Sequence, residues 1–221
     1  MELQRLLNKL GDIAEISSGL TFRTGLEDLP KGDIKVIQMR DLGDNNKVSL
    51  KSAIGISAFS PKKNQMAQPG DLIFRSRGQT TTAAIIPDND EEVVVAVPLM
   101  RIRVRQLDQV NPDYLLWFIN QPNTQRYFSS RSKNSVTLKM IGKKALEELE
   151  VDVPDLKTQE KIGRIYRLSL EEHTIREQLD ELRELHMHKI LAQSASGSRP
   201  KASNKKTRSW CCNIRSGSNS S

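Results

Sequence analysis

The side chains of Arg75-Ser76-Arg77-Gly78-Gln79-Thr80-Thr81-Thr82 directly follow the apolar Leu72-Ile73-Phe74. These are residue types that read duplex DNA. Arginine bonds guanine through two parallel contacts, glutamine does the same to adenine, and serine or threonine hydroxyls reach phosphate oxygens. Gly78 lets the backbone approach a ligand closely. A second segment, Arg126-Tyr127-Phe128-Ser129-Ser130-Arg131-Ser132-Lys133-Asn134-Ser135, mixes basic, hydroxyl and amide groups, and Lys62-Lys63-Asn64 is a weaker third. From these, Arg75, Ser76, Arg77, Gln79, Thr80, Arg131, Lys133 and Asn134 are the candidate DNA-binding residues. Taken singly, each segment also reads as an ordinary surface loop. Their coincidence in one domain is what points to nucleic acid.

Charge supports this reading only through its distribution. The net charge is +7, but the tail from Gln193 onward holds six basic residues and no acidic one. The excess therefore belongs mostly to the tail. Within the body, residues 114–146 carry six basic groups (Arg126, Arg131, Lys133, Lys139, Lys143, Lys144) and no acid, whereas residues 147–192 carry seven basic and 12 acidic. A basic stretch followed by an acidic helix is either a polyanion-facing surface or a solvated loop beside a solvated helix.

Residues for catalysis do not assemble. Asn111-Pro112-Asp113-Tyr114 resembles the Asn-Pro-Pro-Tyr signature of amino-methyltransferases, but its third residue is Asp and no glycine-rich cofactor loop follows a strand. A helix cap explains the same residues fully. Pro154-Asp155 with Glu160-Lys161 lacks the Glu-x-Lys spacing of a metal nuclease. His173, His186 and His188 all fall in one late helix, so no nucleophile has a triad partner and zinc is not expected. Cys211 and Cys212 are adjacent and in the tail, which leaves the body without a disulfide, as in a reducing cytoplasm. The chain is expected to be non-catalytic, without cofactor or metal, and cytoplasmic. It has no apolar run of membrane-spanning length and no signal-peptide start.

The elements that must hold these residues follow from periodicity. Leu3, Leu6, Leu7 and Leu10 have the spacing of a short leading helix. Asp12–Ile16, Ile34–Met39, Lys47–Leu50, Leu72–Phe74, Ala83–Ile86, Val93–Val97 and Leu99–Val104 read as strands. Gln68-Pro69-Gly70-Asp71 is a turn. Asn111-Pro112-Asp113 opens a helix over Tyr114–Asn120, with Asn as cap and Pro at the first position. Gly142–Glu148 reads as helical and Val151–Pro154 as a closing strand. The fold class is α/β (α+β): a twisted, mostly antiparallel sheet or partial barrel with helices, followed by a long C-terminal coiled-coil helix.

That last helix is expected from about Thr158 to Ala192. Ile165, Leu168, Ile175, Leu179 and Leu182 step by three and four residues once Glu172 is counted as an interruption, which is a heptad seam. At 1.5 Å per residue the helix spans about 50 Å, longer than one small domain covers. The seam suits a partner helix; the alternative is a surface helix packed on its own domain. Residues 1–156 thus read as one domain, 157–192 as the helix and 193–221 as a disordered basic tail. The tail could bind nucleic acid weakly, be a fusion remnant, or come from a shifted reading frame.

The ordered set of motifs resembles the target recognition domain of type I restriction–modification specificity subunits. Leu10-Gly11-Asp12-Ile13-Ala14-Glu15-Ile16-Ser17-Ser18-Gly19 is similar to the family's first strand. Gln68-Pro69-Gly70-Asp71-Leu72-Ile73-Phe74, then Arg77-Gly78, resembles its central motif, and Val110-Asn111-Pro112-Asp113-Tyr114-Leu115 its helix-opening segment. Leu149–Pro154, then Leu156, Gln159 and Ile162, resembles its closing motif, with Asp155 where the pattern has proline and Thr158 where it has glutamate. The likeness covers about residues 10 to 192. It implies a subunit that binds one half of a split double-stranded DNA target and docks N6-adenine methyltransferase subunits, with which motor–nuclease restriction subunits act. The family usually joins two recognition domains and two spacer helices in one chain, and this sequence has one of each. Two copies pairing antiparallel through the helix seam would recreate the full arrangement. The rivals are loss of a second half by truncation, and an adaptor that pairs through its helix with an intact specificity chain.

Overall fold

A computed structural model describes residues 6–23, 25–26, 32–57, 60–78, 81–135 and 138–195. The chain divides into two compact units, Met1–Arg176 and Glu177–Ser221. The first unit begins with β1 (Leu6–Lys9), the single turn α1 (Leu10–Ile13) and β2 (Ala14–Ser18). There follow β3 (Ile34–Ile37), β4 (Ile54–Ile56), β5 (Met66–Ala67), β6 (Leu72–Arg75), β7 (Arg77–Gly78), β8 (Ala83–Ile85), β9 (Val93–Val95) and β10 (Leu99–Val104). Helices α2 (Pro112–Asn120) and α3 (Pro122–Arg131), strands β11 (Lys133–Ser135) and β12 (Leu138–Met140), α4 (Lys143–Glu147) and β13 (Glu150–Val153) complete it. Helix α5 (Leu156–Ala195) runs on into the second unit.

Two four-stranded sheets pack face to face. One has the order β2-β10-β6-β8 and is antiparallel; the other, β4-β3-β9-β5, contains one parallel pair, β3 with β9. Ile73, Ala84 and Leu99 of the first meet Ile37, Val93 and Val95 of the second. Strand alternation sends Leu72, Phe74 and Ile102 to the opposite face, where they pack with Leu115 and Ile119 of α2 and Phe128 of α3. Val36, Ile56, Val94 and Ala96 fill the outer face of the second sheet. Strand β9 is buried on both faces, which is why Val93–Val95 is a continuous apolar run rather than an alternating one. Among the described residues, no sheet closes into a barrel.

Between the sheets sits a charged cluster. Arg103 grips the buried Asp71 with Nε at 2.8 Å and Nη2 at 2.6 Å, and donates to the Met66 carbonyl at 2.9 Å. Arg101, 3 % exposed, donates to the same carbonyl and to Glu15. Burial, then the neighbouring Arg103, lowers the Arg101 pKa, while the hydrogen bond to Asp71 raises that of Arg103. Asp71 also accepts from the Gln68 amide, closing the turn in which Gly70 adopts φ +83°. The Pro-Gly-Asp-Leu segment is thus a clamp between two sheets.

Three expected elements differ. Leu6–Lys9 is a strand, not a helix, because its backbone pairs antiparallel with β13, and Leu7 is exposed rather than part of an apolar stripe. Leu3 lies outside the described residues. Lys47–Leu50 makes only isolated bridges, Lys47 to Ile85 and Val48 to Leu42. A turn through Gly43 and Asn46 (φ +52°) takes up the Lys47 backbone groups, while the Val48 and Ser49 amides donate to the Ile85 and Asp41 carbonyls. Residues 126–131 form the end of α3, since Pro122 starts a helix whose Thr124 and Phe128 share a buried face.

Helix α5 begins with a cap. The Asp155 carboxylate accepts from the Thr158 amide and hydroxyl at 3.0 and 2.7 Å, which lowers its pKa. The two departures from the resembled pattern therefore form one capping pair. Gln159, fully buried, accepts from the Asn111 amide and donates to the Gln109 and Pro154 carbonyls. Gly163 crosses the start of α2 so closely that a Cβ there would lie 2.7 Å from Asp113 Cβ. Tyr166 accepts from Asn46 at 2.8 Å, and Glu171 pairs with Lys47 at 3.0 Å.

Candidate nucleic-acid interface

The segment after β6 divides by direction. The Arg75 guanidinium turns into the domain, where Nη2 donates to the Met39 and Leu42 carbonyls at 3.2 and 3.4 Å. Ser76 is buried; its hydroxyl donates to the Pro98 carbonyl and its own carbonyl accepts from the Ile141 amide. Arg75 Nη2 and the Ser76 hydroxyl thus both donate inside the fold. Arg77 is exposed. Gly78 takes φ +142°, a conformation that L side chains rarely adopt. Gln79 and Thr80 lie outside the described residues. Beyond them Thr81 is buried, its hydroxyl donating to Gln125 Oε1 and its carbonyl accepting from Gln125 Nε2. Asn120 then extends the edge of β8 by bonding both backbone groups of Ala83.

The second segment comes to the same place. Strand β12 pairs with β7 on one side and β11 on the other, forming a three-stranded sheet of order β11-β12-β7. In its register Lys133, Met140 and Arg77 are neighbours in one row, and Asn134, Lys139 and Gly78 in the next. Directly opposed residues share a face, so the rows belong to opposite faces. The sheet joins two stretches of sequence without an acidic residue, 72–87 and 114–146. Arg131, at the end of α3, is exposed and lies over the Tyr127 ring, 3.9 Å from its centroid. Of the candidate residues, Arg77, Lys133 and Asn134 are brought into this sheet, and Arg131 stands just before it. Lys62 and Lys63 are exposed on a separate 3₁₀ turn before β5.

Met140 is not among the residues singled out from the sequence: alternation groups it with apolar Leu138, and only the pairing with β7 accompanies its 46 % exposure beside a buried Ile141. A cavity of about 560 Å³ lies between α2, α3 and β13, lined by Trp117, Phe118, Tyr127 and Arg131 and by Glu148, Glu150 and Asp152. Its carboxylates make it a poor face for DNA. Among the described residues, no His, Cys, Asp and Glu group is arranged for a metal, and no helix is long and apolar enough to cross a membrane.

On α5, Ile165, Leu168 and Ile175 of the first unit are exposed, as are Leu179 and Leu182 of the second. These side chains range from 45 % to 68 % exposed, and Leu185, Met187, Ile190 and Leu191 of the second unit are exposed as well.

Residues 7–181 match the family model of the type I restriction modification DNA specificity domain. No curated protein matches the chain. Among solved structures, it is similar to a chain of a type I R-M system studied for complex assembly and conformational transition (TM-score 0.59, 16 % identity, 86 % of this chain and 44 % of that one). It is also similar to the HsdS subunit of Thermoanaerobacter tengcongensis (TM-score 0.54, 20 % identity, 90 % of this chain and 46 % of that one). A third is the type I restriction-modification S subunit of M. genitalium (TM-score 0.54, 13 % identity, 85 % of this chain and 44 % of that one). The chain spans less than half the length of these solved chains. With the family model covering most of its residues, the chain belongs to the type I restriction modification DNA specificity domain family.

Proposed function

We propose that this chain reads one half of a split double-stranded DNA target and confers that specificity on separate N6-adenine methyltransferase subunits, with which restriction subunits act. The observation that carries the reading is the β11-β12-β7 sheet, which joins two acid-free segments and presents Arg77 to solvent. A strand pair fits the major groove, where base edges are distinguishable. Chemistry is left to the partner subunits. The exposed seam of Ile165, Leu168, Ile175, Leu179 and Leu182 favours antiparallel pairing of two copies, so that two half-sites are read across a spacer.

The test is selection from a random duplex library by the full chain assembled with its methyltransferase partner. Enrichment of a two-part sequence, with affinity falling steeply as salt rises, supports the reading. Binding without sequence enrichment contradicts it. Helix-mediated association with an intact specificity chain, with no DNA preference of its own, would support the adaptor role instead.

A further inference from the structure

We infer that Met140 makes a specificity-determining contact: its thioether side chain packs against the 5-methyl group of a thymine in the major groove. The inference rests on the DNA-recognition reading above and adds a residue and a base to it.

Met140 is 46 % exposed. Among the described residues of the acid-free stretch 114–146, it is the large apolar side chain left in solvent. The next residue explains why this is not a loose end. Ile141 is buried in the main core and its amide donates to the Ser76 carbonyl at 2.9 Å, so the backbone on either side of the exposed methionine is fixed. In the sheet register Met140 stands in the middle strand, with Arg77 beside it on β7 and position 133, a lysine, beside it on β11. An apolar group set between two basic positions is poorly suited to a protein core and well suited to a groove.

Adjacent strands lie about 4.8 Å apart, so positions 77 and 133 are about 10 Å apart across the sheet. The major groove is about 12 Å wide. The exposed Arg77 at one outer position can then meet a phosphate that borders the groove, while the central residue faces base edges. The apolar feature that base edges offer in that groove is the thymine methyl, and methionine is flexible enough to pack on it.

The experiment uses the full chain assembled with its methyltransferase partner and the duplexes enriched from a random library. Each thymine of the consensus is replaced in turn by uracil, which removes only the methyl group. With the native chain, one such replacement should weaken binding about three- to fivefold, the worth of about one buried methyl-sized group. Met140→Ala should bind the thymine and uracil duplexes equally, and Met140→Leu should restore the difference. Unchanged thermal unfolding of Met140→Ala would show that the fold is intact. If Met140→Ala keeps the native discrimination between thymine and uracil at every position, or the native chain shows none, the inference is overturned while the recognition reading stands. If the library yields no enriched sequence, the recognition reading fails and the inference falls with it.

Discussion

Arg75 and Arg77 lie two residues apart and have different surroundings. Arg77 is exposed in a basic row, so Arg77→Ala should leave thermal unfolding unchanged. It should lower discrimination by about 1–3 kcal/mol if the side chain reads a base, or reduce the salt slope by about 0.9 if it meets a phosphate. Arg75 gives its hydrogen bonds to the Met39 and Leu42 carbonyls. Arg75→Ala should therefore cost about 1–3 kcal/mol in urea unfolding, by removing the side-chain donor that two inward-facing carbonyls share. Asp71→Ala should cost more, about 3–5 kcal/mol, because it strands the Arg103 guanidinium between two sheets. The sequence shows donors and their order. It does not show direction: Arg101, Arg103 and Arg105 alternate with Met100, Ile102 and Val104 as a half-solvated strand would. Only the second sheet, arriving through Met66, makes that face an interior.

Elements whose signals are local were readable, and elements made by distant pairing were not. Helix α2 has its cap in its own residues, with Asn111 accepting from the Asp113 and Tyr114 amides. Strands β6, β8, β9 and β10 carry their apolar runs. The β11-β12-β7 sheet joins Gly78 to Lys139, and no local pattern announces that pairing. Strand β1 depends likewise on β13. The start of α5 is testable through its cap. Asp155 has a lowered pKa in the folded chain, so its stabilising contribution is present above the ordinary carboxylate range and is lost as pH falls through the lowered value. Amide exchange at Thr158 and Gln159, corrected for the intrinsic pH dependence, should become faster over that acid range and already be fast in Asp155→Ala at neutral pH. Gly163→Ala places a Cβ against Asp113 and the Tyr114 amide. It should destabilise the first unit by about 1–3 kcal/mol, measured by thermal unfolding.

At the scale of the whole molecule, the proposed pairing rests on the exposed apolar side chains of α5. Leu179→Glu with Leu182→Glu puts charges on the exposed seam and should convert a dimer to a monomer in analytical ultracentrifugation, with the β sandwich intact by circular dichroism. An unchanged mass would place the pairing elsewhere. The central claim is specificity, and the most direct measurement is the methylome of cells with and without this gene beside its partner methyltransferase. The account predicts N6-methyladenine at a two-part motif that appears only when the gene is present, with matching halves if two copies pair. An identical methylome in both strains would contradict it.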